Sequence, residues 1–214
     1  VALQRLVEAA PYTVGGSADL AGSAAPPIIK GRGTVGPGAE PGSDPFTGNN
    51  IHFGVREHAM GAISNGIALD GTLRPYCGTF LIFSDYMRPS MRLAALSGLD
   101  PIYIFPHDSI SVGADGPTHQ PVEHLAALRS IPRLTVIRPG DAHECTAAWK
   151  WILQNAQGPS ALVLSRQSLP ILDREHYASA DGLLRGGYVL AEAGAPAKVT
   201  LVASGSELSL AVAA

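Results

Sequence analysis

Between residues 51 and 164 the sequence switches back and forth between two apolar rhythms, and this alternation restricts the fold more than any other feature of the chain. Short strand-like runs occupy 51–53, 76–80, 102–105, 134–137 and 160–164. Helical patterns lie between them. The first runs from about Arg56 to Leu69 and is stopped by Gly71. The second is expected from Pro89 to about Ser97, after an initial turn at 84–88, because proline disrupts a helix interior. A third covers 121–130 with Pro121 in its first turn. A fourth starts at Asp141, with Glu144 three residues on as in a capping box, and reaches about Asn155. Strands alternating with helices imply an α/β fold, a mostly parallel sheet with helices on both faces.

The flanks are less regular. Residues 1–9 have a helical period on Leu3, Leu6 and Val7, and 12–14 reads as a short strand running into a small-residue loop, Gly15-Gly-Ser-Ala-Asp19. From 21 to 50 glycine, proline and small polar residues predict a long irregular segment. Residues 168–186 read as a linker. Apolar runs at 186–190 and 199–203 predict two more strands, and 204–207 a helix cap. The expected organisation is therefore one domain over 1–167, the linker 168–186, and the start of a second, incomplete α/β domain over 187–214, so that the chain reads as a piece of something longer. A net charge of -3 argues against a nucleic-acid binder. No apolar run approaches membrane-spanning length and the first residues lack a signal-peptide pattern. Cys77 and Cys145 have neither metal-type nor redox-type spacing, so a cytoplasmic, unbridged protein is expected.

Open parallel sheets bind ligands beyond the carboxyl ends of their strands. At those ends stand Glu57, the aromatics Phe80, Phe83 and Tyr86, the loop from His107 to Pro121 with Asp115 and His119, and Arg166. Each has an ordinary reading: a glutamate at a helix start favours the dipole, and aromatics every three residues usually mean core. Together they converge on one cleft. Two histidines and a carboxylate on a loop shaped by Gly113, Gly116 and Pro117 suit proton transfer or recognition of hydroxyl groups. A zinc site from His107, His119 and His124 lacks the usual Cys/His spacing. Ala59, Ala62 and Gly66 form a small-residue stripe suited to close approach of another helix or subunit.

Several motifs in order carry a family resemblance: Gly15-Gly-Ser-Ala-Asp-Leu20, Phe53-Gly-Val-Arg-Glu-His-Ala-Met-Gly-Ala62, Gly78-Thr-Phe80, His107-Asp-Ser-Ile110, Gly113-Ala-Asp-Gly-Pro-Thr-His-Gln-Pro121 and Leu164-Ser-Arg-Gln167. They resemble the pyrimidine-binding middle domain of transketolase, and Ala203-Ser-Gly-Ser-Glu207 is similar to the start of that family's C-terminal domain. The resemblance implies thiamine diphosphate-dependent transfer of a two-carbon ketol unit from a ketose phosphate to an aldose phosphate, in the pentose phosphate pathway. It makes Glu57 the partner of the aminopyrimidine ring nitrogen, Phe83 the aromatic stacked on that ring, and Phe80 and Tyr86 its neighbouring walls, with Asp19 in a cofactor-side loop. His107 and His119 become proton-transfer residues near the donor's oxygens, Asp115 the partner of a sugar hydroxyl, and Arg166 and Ser23 the groups on the substrate phosphate.

The family holds the diphosphate and its Mg²⁺ or Ca²⁺ with a Gly-Asp-Gly motif in an N-terminal domain, and no Gly-Asp-Gly occurs here. The resemblance thus implies that this chain carries no metal ligand of its own and supplies the aminopyrimidine half of a site completed by a partner subunit of a homodimer. Alone it is expected to be inactive. The alternatives are a deoxyxylulose phosphate synthase, a 2-oxo acid dehydrogenase E1 component, or a non-catalytic subunit of the same fold.

Overall fold

A computed structural model describes residues 2–22, 28–36, 44, 46–155 and 157–214. Among these residues seven strands form one sheet: β1 (Thr13–Ser17), β2 (Thr34–Val35), β3 (Asn50–His52), β4 (Arg74–Gly78), β5 (Ile102–Asp108), β6 (Thr135–Ile137) and β7 (Ser160–Ser165). Their order is β2-β3-β1-β4-β5-β7-β6, and every pairing is parallel. Among the described residues six α-helices accompany them: α1 (Ala2–Ala9), α2 (Glu57–Asp70), α3 (Ser84–Ser97), α4 (His124–Arg129), α5 (Ala142–Asn155) and α6 (Leu208–Ala213).

Side chains alternate along each strand and so divide between two cores. Tyr76, Ile102, Ile104 and Leu162 face α1 and α5, against Leu3, Leu6, Val7, Trp149 and Ile152. Cys77, Tyr103, Phe105, Ala161 and Val163 face α2, α3 and α4, against Met60, Met87, Met91 and Leu128. A sheet buried on both faces explains why its strands read as continuous apolar runs. The expected α/β architecture is present.

Several boundaries differ from expectation for identifiable reasons. Helix α3 starts at Ser84, directly after a 3₁₀ turn at Leu81–Phe83, and carries Pro89 inside it. An interior proline costs about 3 kcal/mol. Burying Met87 and Met91 on the core offsets this at about 1.5–3 kcal/mol each. Helix α4 is shorter than predicted, since 121–123 lie outside it and Pro121 is not in its first turn. Gly71 ends α2 in the left-handed conformation, φ 80°, as expected. At the start of α5 the backbone N–H of Glu144 donates to Asp141 Oδ1 at 2.8 Å, and Glu144 Oε2 accepts from Gly140 N at 2.8 Å, a capping box displaced by one residue.

The predicted loop at 15–19 is in part strand, because β1 continues through both glycines to Ser17. A Cβ on Gly15 would lie 1.8 Å from the Tyr76 carbonyl oxygen, and one on Gly16 1.8 Å from that of Ile51. Only glycine lets the neighbouring strands approach so closely. Gly15→Ala is expected to lower stability by roughly 1–3 kcal/mol, the usual cost of overpacking, read as a fall in the denaturant midpoint at unchanged slope. The segment predicted to be irregular over 21–50 contains the edge strand β2. Ser23 lies outside the described residues.

Neither C-terminal strand forms. Residues 187–203 are without strand structure, and Val189, Val199, Leu201 and Val202 are exposed. A strand needs a neighbouring strand to receive its N–H and C=O groups in a ladder, whereas the run at 186–190 meets the isolated backbone bond from Ala178 N to the Leu190 carbonyl at 3.0 Å. The segment is held instead by polar clasps. Arg174 Nη2 donates to the buried Asp141 at 2.7 Å, and the Tyr188 hydroxyl donates to Glu144 at 2.6 Å. The expected cap at 204–207 is a 3₁₀ turn, Gly205–Glu207, that leads into α6 without a side-chain cap.

Candidate functional site

Five adjacent strands, β3, β1, β4, β5 and β7, deliver the sequence-selected residues to one edge of the sheet. Asp19 follows β1, exposed, with φ 61°. Glu57 opens α2 just after β3 and is 9% exposed, with Thr79 Oγ1, from the end of β4, donating to its Oε1 at 3.4 Å. The helix N-terminus favours its negative charge.

The chain leaves β4 through Phe80, which is buried, and continues to the half-buried Phe83 and the exposed Tyr86. The rings form a ladder, Phe80 to Phe83 and Phe83 to Tyr86 each at 6.1 Å between centroids. His107 stacks on Phe80 at 3.7 Å and 21°. His119 meets Phe80 at 5.9 Å and Phe83 at 5.3 Å, both edge-on. Two imidazoles therefore border one aromatic wall.

The backbone at His107 is unusual. Pro106 has no N–H to give the ladder, the β5–β7 register shifts between Phe105 and Asp108, and His107 adopts φ 63° while Ser109 adopts φ 117°. Left-handed backbone at a non-glycine residue costs energy and persists only where its surroundings hold it. Here Asp108 is tied to Arg138 at 2.5 Å, Ser109 Oγ donates to Gln167 at 2.9 Å, and Gln120 Nε2 donates to the Ser109 carbonyl at 3.0 Å.

His107 Nε2 lies 3.5 Å from Asp115 Oδ2, and the same oxygen receives Arg166 Nε at 2.7 Å. Arg166 and Asp115, expected to hold different parts of a substrate, are thus bonded to each other. Burial lowers the His107 imidazole below its ordinary value; the Asp115 carboxylate pulls it up, and Arg166 and His119 push it down further. This lowering favours the neutral ring, whose Nδ1 is buried and unpartnered among the described residues. A neutral imidazole with an unsatisfied nitrogen is suited to exchanging a proton with a ligand.

Sequence reasoning missed the braces. Arg138, 8% exposed in its side chain, holds Asp108, the Ser204 carbonyl at 2.6 Å, and Glu207. A lone arginine whose partners are distant in sequence leaves no local signal. His124, weighed as a zinc ligand with His107 and His119, is 1% exposed and lies against Asp85 at 3.0 Å. A cavity of about 430 Å³ beside α5, lined by His143, Lys150, Arg174 and Asp181, contains none of the cleft residues.

The transketolase pyrimidine-binding domain profile matches residues 1–171. Among curated relatives, the transketolase of Mycobacterium tuberculosis is 55% identical over 214 residues, covering 95% of this chain and 30% of the relative. That of Halalkalibacterium halodurans is 53% identical over 211 residues, with 99% and 31% covered. Among solved structures, transketolase from Pichia stipitis in complex with sedoheptulose-7-phosphate superposes with a TM-score of 0.90 at 43% identity, covering 98% of this chain and 30% of that one. The chain thus spans about 30% of the length of these relatives.

Proposed function

Because the chain belongs to the transketolase pyrimidine-binding domain family, we propose that it forms the aminopyrimidine and substrate side of a transketolase site, for transfer of a two-carbon ketol unit between sugar phosphates. The observation that carries this reading is the convergence of Glu57, the Phe80–Phe83 wall, His107 and His119 at the ends of adjacent strands. The sugar phosphate bound by the Pichia stipitis relative supports the substrate class.

The residues fit thiamine diphosphate. A buried carboxylate beside a half-buried aromatic suits a flat ring with a basic nitrogen, and the orphaned His107 Nδ1 awaits a polar partner. When bound, that cofactor supplies the carbanion chemistry of ketol transfer. Glu57 holds a proton at the pyrimidine ring nitrogen. Phe83 stacks on the ring, with Phe80 and Tyr86 extending the wall and Asp19 closing the β1 side. His107, whose neutral form burial favours, and His119 move protons at the substrate oxygens. Asp115 binds a sugar hydroxyl, and Arg166 turns from Asp115 to the phosphate, a group the family resemblance also assigns to Ser23. The diphosphate and its Mg²⁺ or Ca²⁺ are held by residues outside these 214.

The proposed assembly is a homodimer through the outer face of α2. Ala62, Ile63 and Gly66 are exposed there, and Gly66 has open space at its Cβ. Residues 1–167 form the cofactor-facing domain in this reading, 168–186 its linker, and 187–214 the beginning of the next. No helix among the described residues is long and apolar enough to cross a membrane.

In the full-length protein, His107→Ala is expected to lower kcat about 10²-fold, at the low end for a general acid–base group, with cofactor affinity nearly unchanged. Phe83→Ala is expected to weaken cofactor binding directly. Titration with thiamine diphosphate, together with product analysis on xylulose 5-phosphate, separates the two. Equal loss of cofactor affinity in both variants overturns the division of roles, and turnover of pyruvate in place of the sugar phosphate overturns the substrate class.

A further inference from the structure

His124 opens α4 with its side chain almost fully buried, and its two ring nitrogens have different surroundings. Nε2 lies 3.0 Å from Asp85 Oδ2. A carboxylate oxygen accepts, so Nε2 is the donor in this contact, and in the neutral ring Nδ1 presents a lone pair. That Nδ1 is buried and has no hydrogen-bond partner among the described residues. It faces Glu123 Oε2 at 3.9 Å, too far for a hydrogen bond. A lone pair directed at a carboxylate is repelled by it unless a positive charge lies between them.

The spacing fits such a charge. A zinc-class cation lies about 2.0–2.2 Å from both imidazole nitrogen and carboxylate oxygen, so it spans a gap of this size with little movement. Asp85, Glu123 and His124 each place one donor atom within 4.8 Å of the other two. The Asp85 and Glu123 side chains are 43% and 71% exposed, which gives an entry path and lets Glu123 adjust. Arg88 donates to Asp85 Oδ1 at 2.5 Å and leaves Oδ2 to the imidazole. The resulting chain of carboxylate, imidazole N–H and opposite lone pair is the arrangement that orients histidine toward a metal.

We infer that Glu123 and His124, with Asp85 orienting the imidazole, form a binding site for a divalent transition-metal cation of the zinc class, separate from the metal that accompanies a diphosphate. His124 Nδ1 and Glu123 are the direct ligands, and Asp85 fixes the imidazole from its other nitrogen. The imidazole favours zinc, cobalt or nickel over magnesium or calcium, which take oxygen ligands. A cation here ties the start of α3, which carries Tyr86, to the start of α4, which follows the loop bearing His119.

The test uses the full-length protein dialysed free of metal, without thiamine diphosphate, titrated with Zn²⁺ by calorimetry and with Co²⁺ by visible absorption. One saturable equivalent is expected, lost in His124→Gln and weakened about tenfold or more in Glu123→Gln, in the range for losing a supporting group of a metal site. Absence of saturable binding, or binding equal to wild type in Glu123→Gln, overturns the assignment. Glu123 is exposed, so its variant decides the matter even where His124→Gln fails to fold.

Discussion

Glu57→Gln in the full-length protein is expected to lower kcat by about 10²- to 10⁴-fold, the range for removing a positioned general acid–base group. Glutamine keeps the shape of the buried side chain and can still accept from Thr79, so the fold should survive. The lost helix-dipole interaction is worth only about 0.3–1 kcal/mol. A large kinetic loss with little thermal shift therefore separates the proposed role at the ring nitrogen from a merely structural one. The measurement is steady-state ketol transfer at saturating cofactor beside a melting curve. A variant within a few fold of wild type would show that Glu57 is only a helix-start carboxylate.

The largest effect on stability is expected at Arg138. Its guanidinium neutralises Asp108, whose side chain is 5% exposed, and ties Glu207 and the Ser204 carbonyl to the sheet. Removing one partner of a buried ion pair typically costs about 3–5 kcal/mol, because the other charge remains buried without compensation. Arg138→Met should lose stability of that order in chemical unfolding, and adding Asp108→Asn should recover part of it. A pH dependence follows. Burial raises the Asp108 carboxyl above its ordinary value despite the opposing pull of Arg138. For an acid with a raised folded value the native state binds the proton more tightly, so stability falls as pH rises from the unfolded value through the folded one. Without Arg138 that penalty grows, and acidification should narrow the gap between variant and wild type. A gap independent of pH, with no recovery in the double variant, would show that Asp108 is not the stranded charge.

The parts of the fold that could be read from the sequence depend on near neighbours. Apolar periodicity located the sheet and its covering helices, and the Asp141–Glu144 spacing located the start of α5. Position at strand ends brought His107, Asp115, His119 and Arg166 to one place. Pro89 misled because propensity describes an isolated helix, whereas buried Met87 and Met91 determine this one. The runs at 186–190 and 199–203 misled because β-propensity says nothing about whether a neighbouring strand is present. Arg138 was invisible because Asp108 and Glu207 lie 30 and 69 residues away. The direct bond between Arg166 and Asp115 was equally hidden, since it joins groups 51 residues apart.

The place of β1 in the sheet has a consequence for biosynthesis. Made early in this stretch of chain, it finishes between β3 and β4, with Gly15 registered against Asn50 on one side and Tyr76 on the other. No hairpin can hold it in the meantime, because every ladder in the sheet is parallel and waits for a distant segment. Until residue 78 is available, the close-fitting glycine strand has no complete groove to enter. Assembly of the sheet is therefore governed by long-range closure around β1, and refolding after dilution from denaturant should be slow compared with helix formation in α3 or α5.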